Sequence, residues 1–326
     1  MSVDPDPSAL AVEARAAAPP ERPGGAVGRA FDSDLWHSFA KSPVTILAAI
    51  VTVAIFASAI AAPWIAPHDP FDLASLSLLD SLTPPVWLNG GNPDYLLGTD
   101  DQGRDMLSAI LYGTRISLGV GFASVAFAAV LGISLGLLAG YVGGAVDTII
   151  MRVADVQLTF PAILIALLID GTARGLFPGL SREDSAFYVL TLSIGLSFWV
   201  QYARTVRGST LVEANKEYVM AARLIGLSRF TIMLRHVLPN VLGPVLVIAT
   251  INLALAIILE ATLSFLGVGV PPTEPSLGTL IRVGQDFLFS GEWWITIFPG
   301  AMLAILVLAV NLLGDWLRDA LNPRLR

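Results

Sequence analysis

Long apolar stretches alternate with polar, charged segments along this chain, and their lengths give the first indication of its architecture. A helix needs about 20 predominantly apolar residues to cross the hydrocarbon core of a bilayer. Six segments reach about this length, at residues 44–62, 116–146 (ending near Tyr141), 145–169, 185–203, 237–259 and 293–314. The pattern predicts an all-α membrane protein with six transmembrane helices.

The third and fifth segments carry ionisable residues, which are candidates for function inside a membrane. Asp155 lies three residues after Arg152, so the two would be neighbours on a helix and form either a structural ion pair or part of a path. Glu260 lies near the outer end of the fifth segment, where it would reach water, pair with a partner subunit or line the path. Asp155 and Glu260 are therefore the candidate residues of a translocation path.

The composition agrees with a membrane location. Of the 326 residues, 55% are hydrophobic and 14% are charged, whereas about 25% are charged in a soluble domain. The net charge of -7 argues against a nucleic-acid partner, because phosphate binding requires a concentrated basic face. The chain has no cysteine, which excludes a disulfide framework and a thiolate metal site.

The distribution of basic residues predicts the orientation, because cytoplasmic loops retain positive charge. Thirteen basic residues lie on the side of both termini and about five on the other side. The thirteen are Arg15, Arg22, Arg29, Lys41, Arg204, Arg207, Lys216, Arg223, Arg229, Arg235, Arg318, Arg324 and Arg326, and the five are Arg104, Arg115, Arg174, Arg182 and Arg282. Both termini are therefore expected in the cytoplasm.

This orientation divides the chain into four parts. Residues 1–43 are rich in Ala, Pro and charge and predict a disordered cytoplasmic tail. Residues 44–66 form the first transmembrane helix, and the acidic, Pro- and Gly-rich segment 67–113 is expected to be an external loop, either solvated or ligand-binding. Residues 114–326 are expected to form a core of five transmembrane helices with a cytoplasmic loop at 207–239 between helices four and five.

Within that loop, the stretch "EYVMAARLIGLSRFTIMLRHVLPN" (217–240) is amphipathic and basic. Gly226 can adopt a positive φ and end a short helix, Ser228 can cap the next one, and Pro239 suits the start of the fifth span. We expect two short helices with a turn between them. The alternative is an amphipathic helix lying on lipid headgroups, but Ala221 and Ala222 favour close approach of another surface instead.

The stretch resembles the signature loop of the membrane subunits of ABC importers, which reads Glu-Ala-Ala, three residues, Gly, nine residues, then Ile-x-Leu-Pro. Met220 and His236 depart from that pattern, and both departures suit the peptide and nickel permeases. In that family the loop is a coupling helix that inserts into a groove on the ATPase subunit. The residues that the resemblance assigns to this coupling are Glu217, Ala221, Ala222, Arg223, Gly226, Leu238 and Pro239.

Three further stretches are similar to the second, or C-type, permease of dipeptide and oligopeptide importers. They are "LGTDDQGRDMLSAILYGTRISL" (97–118), "EATLSFLGVGVPP" (260–272), and "WWITIFPG" with "NLLGDWLRDALNPRLR" (293–326). The resemblance implies a multi-pass protein of the bacterial inner membrane that carries short peptides or related solutes. It also implies three kinds of partner: a second homologous permease, two ABC ATPase subunits and an external solute-binding protein.

The chain itself shows no catalytic motif. It lacks a G-x-x-x-x-G-K-[S/T] phosphate loop, and its three histidines are far apart in sequence, so neither an ATPase site nor a metal site is expected. The resemblance implies that partner subunits bind ATP and Mg. The alternatives are a subunit of an ion-gradient-driven secondary transporter, an ABC permease for nickel or another solute, and a scaffolding protein. A secondary transporter would normally show duplicated halves, and none is visible.

Overall fold

The computed structural model of the chain describes residues 39–72, 76–176 and 182–320, without the side chains of Arg174 and residues 182–184. All but the last five residues of the predicted tail 1–43 lie outside these ranges. The main helices are α1 (Pro43–Ile60), α2 (Met106–Val142), α3 (Gly144–Leu158), α4 (Ala162–Leu176), α5 (Arg182–Glu213), α6 (Glu217–Leu224), α7 (Leu238–Phe265), α8 (Leu277–Gln285) and α9 (Trp294–Ala320). Shorter helical turns occupy Ala62–Ile65, Leu78–Asp80, Arg229–Thr231 and Ile232–Val237. The described ranges contain no β-strand.

Five helical stretches in the described ranges are long and apolar enough to cross a membrane. They are α1, α2, α5 from Ser185, α7 with the helical turns before it (Arg229–Phe265), and α9. Helices α3 and α4 pass the same test only as a pair, and they are bent by 97°. The fold is therefore helical with five candidate spans, or six when the bent pair counts as one.

The break between α3 and α4 corrects the prediction of one continuous helix over residues 145–169. Pro161 has no N–H to continue the hydrogen-bond ladder, and it disfavours helical geometry at Phe160. Helix α3 accordingly ends at Leu158, and α4 begins at Ala162, directly after the proline. Residues 159–161 are exposed in the isolated chain.

Two other helices are longer than their apolar stretches. Helix α2 begins ten residues before position 116, because the Asp105 side chain caps it by accepting a hydrogen bond from the Ser108 N–H. The last residues of the predicted external loop 67–113 are therefore helical. Helix α5 continues ten residues beyond position 203, and its extra turns carry Arg204 and Arg207, which pair with acidic residues of α3.

Helices α2 and α5 pack in direct backbone contact along a stripe of glycines spaced four residues apart. A Cβ added to Gly132 would lie 2.4 Å from the carbonyl oxygen of Trp199, and one added to Gly136 would lie 2.4 Å from that of Ala203. At Gly140 the nearest atom would be the Thr210 Cβ, at 2.7 Å. Small residues at this spacing allow membrane helices to approach closely, which maximises van der Waals contact between them.

The segment before α2 is folded against the α7–α8 connection and the start of α9, and it is more than a solvated loop. Asp100 and Arg104 are fully buried, and the Arg104 Nε donates a hydrogen bond of 2.6 Å to the Asp100 carboxylate. The Arg104 Nη1 donates to the carbonyl oxygen of Pro272 at 2.6 Å, and the indole N–H of Trp294 donates to that of Thr99 at 3.0 Å. These bonds fasten the segment to the α7–α8 connection and to the start of α9.

Substitution in the glycine stripe tests the α2–α5 contact. Gly136→Ala should lower the free energy of unfolding by at least about 1–3 kcal/mol, because the new methyl group meets backbone atoms that cannot move aside. Gly208→Ala on α5 is the matched control, since a Cβ there meets no atom within 4 Å. Thermal unfolding of the detergent-solubilised chain measures both. Equal midpoints for the two variants would contradict the close packing.

Candidate functional site

The stretch 217–240 has the local structure that its sequence predicts. Helix α6 ends at Leu224, and Gly226 follows with φ 81°. The Leu227 N–H donates to the carbonyl oxygen of Ala222 at 3.2 Å, which completes a Schellman motif. The Ser228 side chain caps the next helical turn, and Pro239 lies in the first turn of α7. Two short helical elements with a turn between them are therefore confirmed.

The two faces of α6 have different surroundings. Val219 and Ala222 are buried in the hydrophobic core of this chain, with exposed fractions of 0% and 5%. Leu224 and Ile225 lie at the tip of the stretch with exposed fractions of 88% and 76%. Ala222 is thus small because its own chain packs against it, whereas Gly226 has open space around it and is required for its positive φ. Leu224 and Ile225 therefore form an exposed apolar surface at the tip of the stretch.

The tip connects to α7 through a π-helical turn, Ile232–Val237, which sequence analysis did not predict. The Leu238 N–H donates to the carbonyl oxygen of Met233, five residues earlier. Pro239 provides the physical reason, because it offers no N–H to the carbonyl oxygen of Arg235, four residues before it. Such turns occur frequently at functional sites, and Leu238-Pro239 was the only sequence signal for this one.

A polar network joins α6 to the helices on either side of it. The Tyr218 hydroxyl donates to the Glu213 carboxylate at the end of α5 (2.7 Å) and accepts a hydrogen bond of 3.2 Å from the Asn240 side chain on α7. Burial and the hydrogen bond to Glu213 raise the pKa of Tyr218 to about 12. The hydroxyl therefore remains protonated at neutral pH, and α5, α6 and α7 are tied together.

Asp155, one of the two path candidates, has a different partner from the one predicted. Its carboxylate pairs with Arg204 of α5 at 2.5 Å, although Arg152 is its neighbour in sequence. Asp147 of α3 forms a second, bidentate ion pair with Arg207, whose Nη2 lies 2.6 Å from the carboxylate. Both pairs attach α3 to the part of α5 that leads into the loop.

Glu260, the other path candidate, is fully buried inside the chain. The Ser117 hydroxyl of α2 and the Ser264 hydroxyl of α7 each donate to its carboxyl group at 2.7 Å. The carboxyl group therefore holds α2 and α7 together near the Pro- and Gly-rich connection that follows α7. Asp155 and Glu260 belong to different helix pairs, and the structure does not bring them together.

The sequence of this chain matches the models of two known protein families. The profile of the family described as "Binding-protein-dependent transport system inner membrane component" matches residues 132–326. A second profile, "N-terminal TM domain of oligopeptide transport permease C", matches residues 33–85.

Two curated relatives show the extent of the similarity. The "Dipeptide transport system permease protein DppC" of Haemophilus influenzae is 40% identical over 90% of this chain and 95% of the relative. The "Di/tripeptide transport system permease protein DppC" of Pseudomonas aeruginosa is 39% identical over 90% of this chain and 92% of the relative. Among solved structures, an inward-facing conformation of the MetNI methionine ABC transporter has a chain with a similar fold. The TM-score is 0.52 at 19% identity, covering 67% of this chain and 98% of that chain.

The buried carboxyl group of Glu260 leads to a prediction about stability. Glu260→Ala should lower the free energy of unfolding by about 2–5 kcal/mol, because it leaves a cavity and two serine hydroxyls without their acceptor. Glu260→Gln keeps the volume and one acceptor oxygen, so its cost should be about 1–2 kcal/mol. Thermal unfolding in detergent compares the two variants. A Glu260→Ala protein as stable as the wild type would show that the carboxyl group does not hold α2 to α7.

Proposed function

Since this chain belongs to the family of binding-protein-dependent transport system inner membrane components, we propose that it is a permease subunit of an ATP-driven ABC importer for short peptides. Its 39–40% identity to two dipeptide or di/tripeptide permeases along 90% of its length is the observation that carries this proposal. The chain forms part of the path through the bacterial inner membrane. ATP and Mg are bound by its partner subunits.

The tip of the stretch 217–240 is the proposed contact with an ATPase subunit. Leu224 and Ile225 are largely exposed, and adjacent apolar side chains on a turn between two helical elements are suitable anchors for a groove on a partner. Glu217, Ala221, Ala222, Arg223, Gly226, Leu238 and Pro239 make up the coupling element around this tip. Ala222 holds the element in place by packing into the core of this chain, and Gly226 permits the turn because it adopts a positive φ.

A second, homologous permease is the proposed neighbour of the break between α3 and α4. Irregular backbone at membrane depth is tolerated only where protein buries it or where it lines a water-filled cavity. Residues 159–161 are exposed in the isolated chain, so lipid is an unsuitable neighbour for them. A partner permease on this side, with the peptide path between the two chains, satisfies that requirement.

The proposed orientation places both termini and the coupling element in the cytoplasm, and it rests on the excess of basic residues on that side. The segment before α2 and the α7–α8 connection then face the outside. An external solute-binding protein would deliver its peptide to this surface. The buried pair of Asp100 and Arg104 stiffens the surface that receives it.

We further propose that Asp155 and Glu260 act on the translocation path through the helices that they join. Asp155 fixes α3 to α5 near the coupling element, and Glu260 fixes α2 to α7 at the other end. When ATP binding closes the ATPase subunits, the coupling element moves, and these contacts transmit its displacement to the path. Glu260→Gln should therefore assemble into the complex and import peptide more slowly; uptake at the normal rate would make Glu260 a bystander.

A charge placed at the tip tests the proposed coupling. Leu224→Asp and Leu224→Arg should each release the ATPase subunits, because loss of one apolar anchor costs about 2 kcal/mol or more, which weakens binding roughly thirtyfold. Co-purification of the ATPase with the tagged chain measures the effect, and Phe289→Asp is the control, since Phe289 is 97% exposed in the connection between α8 and α9.

The alternative, a loop lying on lipid headgroups, predicts a different result for the two variants. Anionic headgroups attract a cationic residue, so Leu224→Arg would keep the loop on the membrane, and neither variant would release an ATPase. Retention of the ATPase by both variants would contradict the coupling role. ATPase subunits are cytoplasmic. If the two Leu224 variants lose them and Phe289→Asp retains them, the result also supports the proposed orientation.

A further inference from the structure

A cavity of about 430 Å³ lies between the end of α2 and the inner side of the coupling element. This volume is within the range of small-ligand sites. Six residues line the cavity: Tyr141, Val142, Arg223, Leu227, Arg229 and Ile232. Two of these are arginines, three are aliphatic and none is acidic, so the cavity combines positive charge with an apolar wall.

The two arginines of the cavity are held differently. The Arg223 guanidinium lies over the Tyr141 ring, 5.3 Å from its centre, and its Nη2 is 3.5 Å from the carbonyl oxygen of Ala214. Arg223 is therefore turned toward its own chain, away from Leu224 and Ile225. Within the described ranges, the Arg229 side chain forms no hydrogen bond or ion pair. Both arginines are exposed, so their guanidinium groups can donate hydrogen bonds to a ligand in the cavity, and phosphate matches this geometry best.

The position of the cavity along α2 indicates where that phosphate comes from. Helix α2 has 37 residues and is about 55 Å long at 1.5 Å per residue, which exceeds the bilayer's hydrocarbon core of about 30 Å. Tyr141 and Val142 are the penultimate and last residues of this helix. The second apolar segment ends near Tyr141, so both residues lie at the headgroup level. In the proposed orientation this is the cytoplasmic leaflet, which carries anionic lipids.

From this geometry we propose that the cavity binds the phosphate group of an anionic phospholipid of the inner leaflet. Arg223 and Arg229 hold the phosphate, and Val142, Leu227 and Ile232 contact the apolar part of the lipid near it. A bound lipid would hold the coupling element against the end of α2 and so make its position sensitive to membrane composition. The choice of leaflet rests on the proposed function, but lipid binding by the chain does not require the ATPase.

Native mass spectrometry of the full chain in mild detergent, with equal amounts of phosphatidylglycerol and phosphatidylcholine, tests the site. The wild type should retain phosphatidylglycerol in preference to phosphatidylcholine. Arg229→Gln should reduce this retention about fivefold, and Arg223→Gln with Arg229→Gln roughly tenfold to thirtyfold. Arg235→Gln is the matched control, because Arg235 is exposed on the same stretch and does not line the cavity; its retention should equal that of the wild type.

Three results would overturn the proposal. Arg229→Gln is compared first, because the Arg229 side chain has no structural partner in the described ranges. Unchanged retention by a folded Arg229→Gln protein excludes the site. Equal retention of the two lipids shows that the cavity does not select an anionic phospholipid over a zwitterionic one that carries the same phosphate group. Displacement of phosphatidylglycerol by millimolar inorganic phosphate shows a site for the free anion. If the variant with Arg223→Gln and Arg229→Gln does not fold, Arg223→Lys with Arg229→Lys replaces it. The lysines keep the positive charge but lack the planar guanidinium group, so this variant should retain less lipid than the wild type.

Discussion

The close contact between α2 and α5 is the constraint on which the rest of this membrane domain depends. Gly132, Gly136 and Gly140 let the backbones of the two helices touch, and this contact fixes their relative position along several turns. Helix α3 is then attached to α5 by two ion pairs, and α7 is attached to α2 through Glu260. The remaining spans are arranged around a pair of helices that cannot slide without steric conflict.

This arrangement holds the stretch 217–240, the proposed coupling element, in a fixed position on the bundle. Tyr218 links α6 to the end of α5 and the start of α7, and α5 is in turn packed on the glycine stripe of α2. The π-helical turn Ile232–Val237 is the irregular part of the connection. A force applied at Leu224 and Ile225 therefore reaches two spans directly, and the contacts of those spans carry it toward the other end of the bundle.

Sequence reasoning succeeded where a local rule decides the structure. Apolar length identified the spans, and the conformational freedom of Gly226, the cap of Ser228 and the missing N–H of Pro239 identified the elements of the loop. It failed where long-range packing decides, because no local pattern shows that Ala222 is buried by its own chain or that Asp155 pairs with Arg204 in place of Arg152. Pro161 is the sequence signal for the break between α3 and α4, but the apolar length of residues 145–169 by itself predicts one uninterrupted helix.

We propose that this chain moves peptide with energy from ATP, through a partner that it contacts by its loop. Uptake of a labelled dipeptide into proteoliposomes that contain the complete complex tests it most directly, with the binding protein outside and ATP on the side of the ATPase subunits. We expect uptake that requires ATP and continues after ionophores have collapsed all ion gradients. Uptake that proceeds without ATP and follows an imposed proton gradient would contradict it.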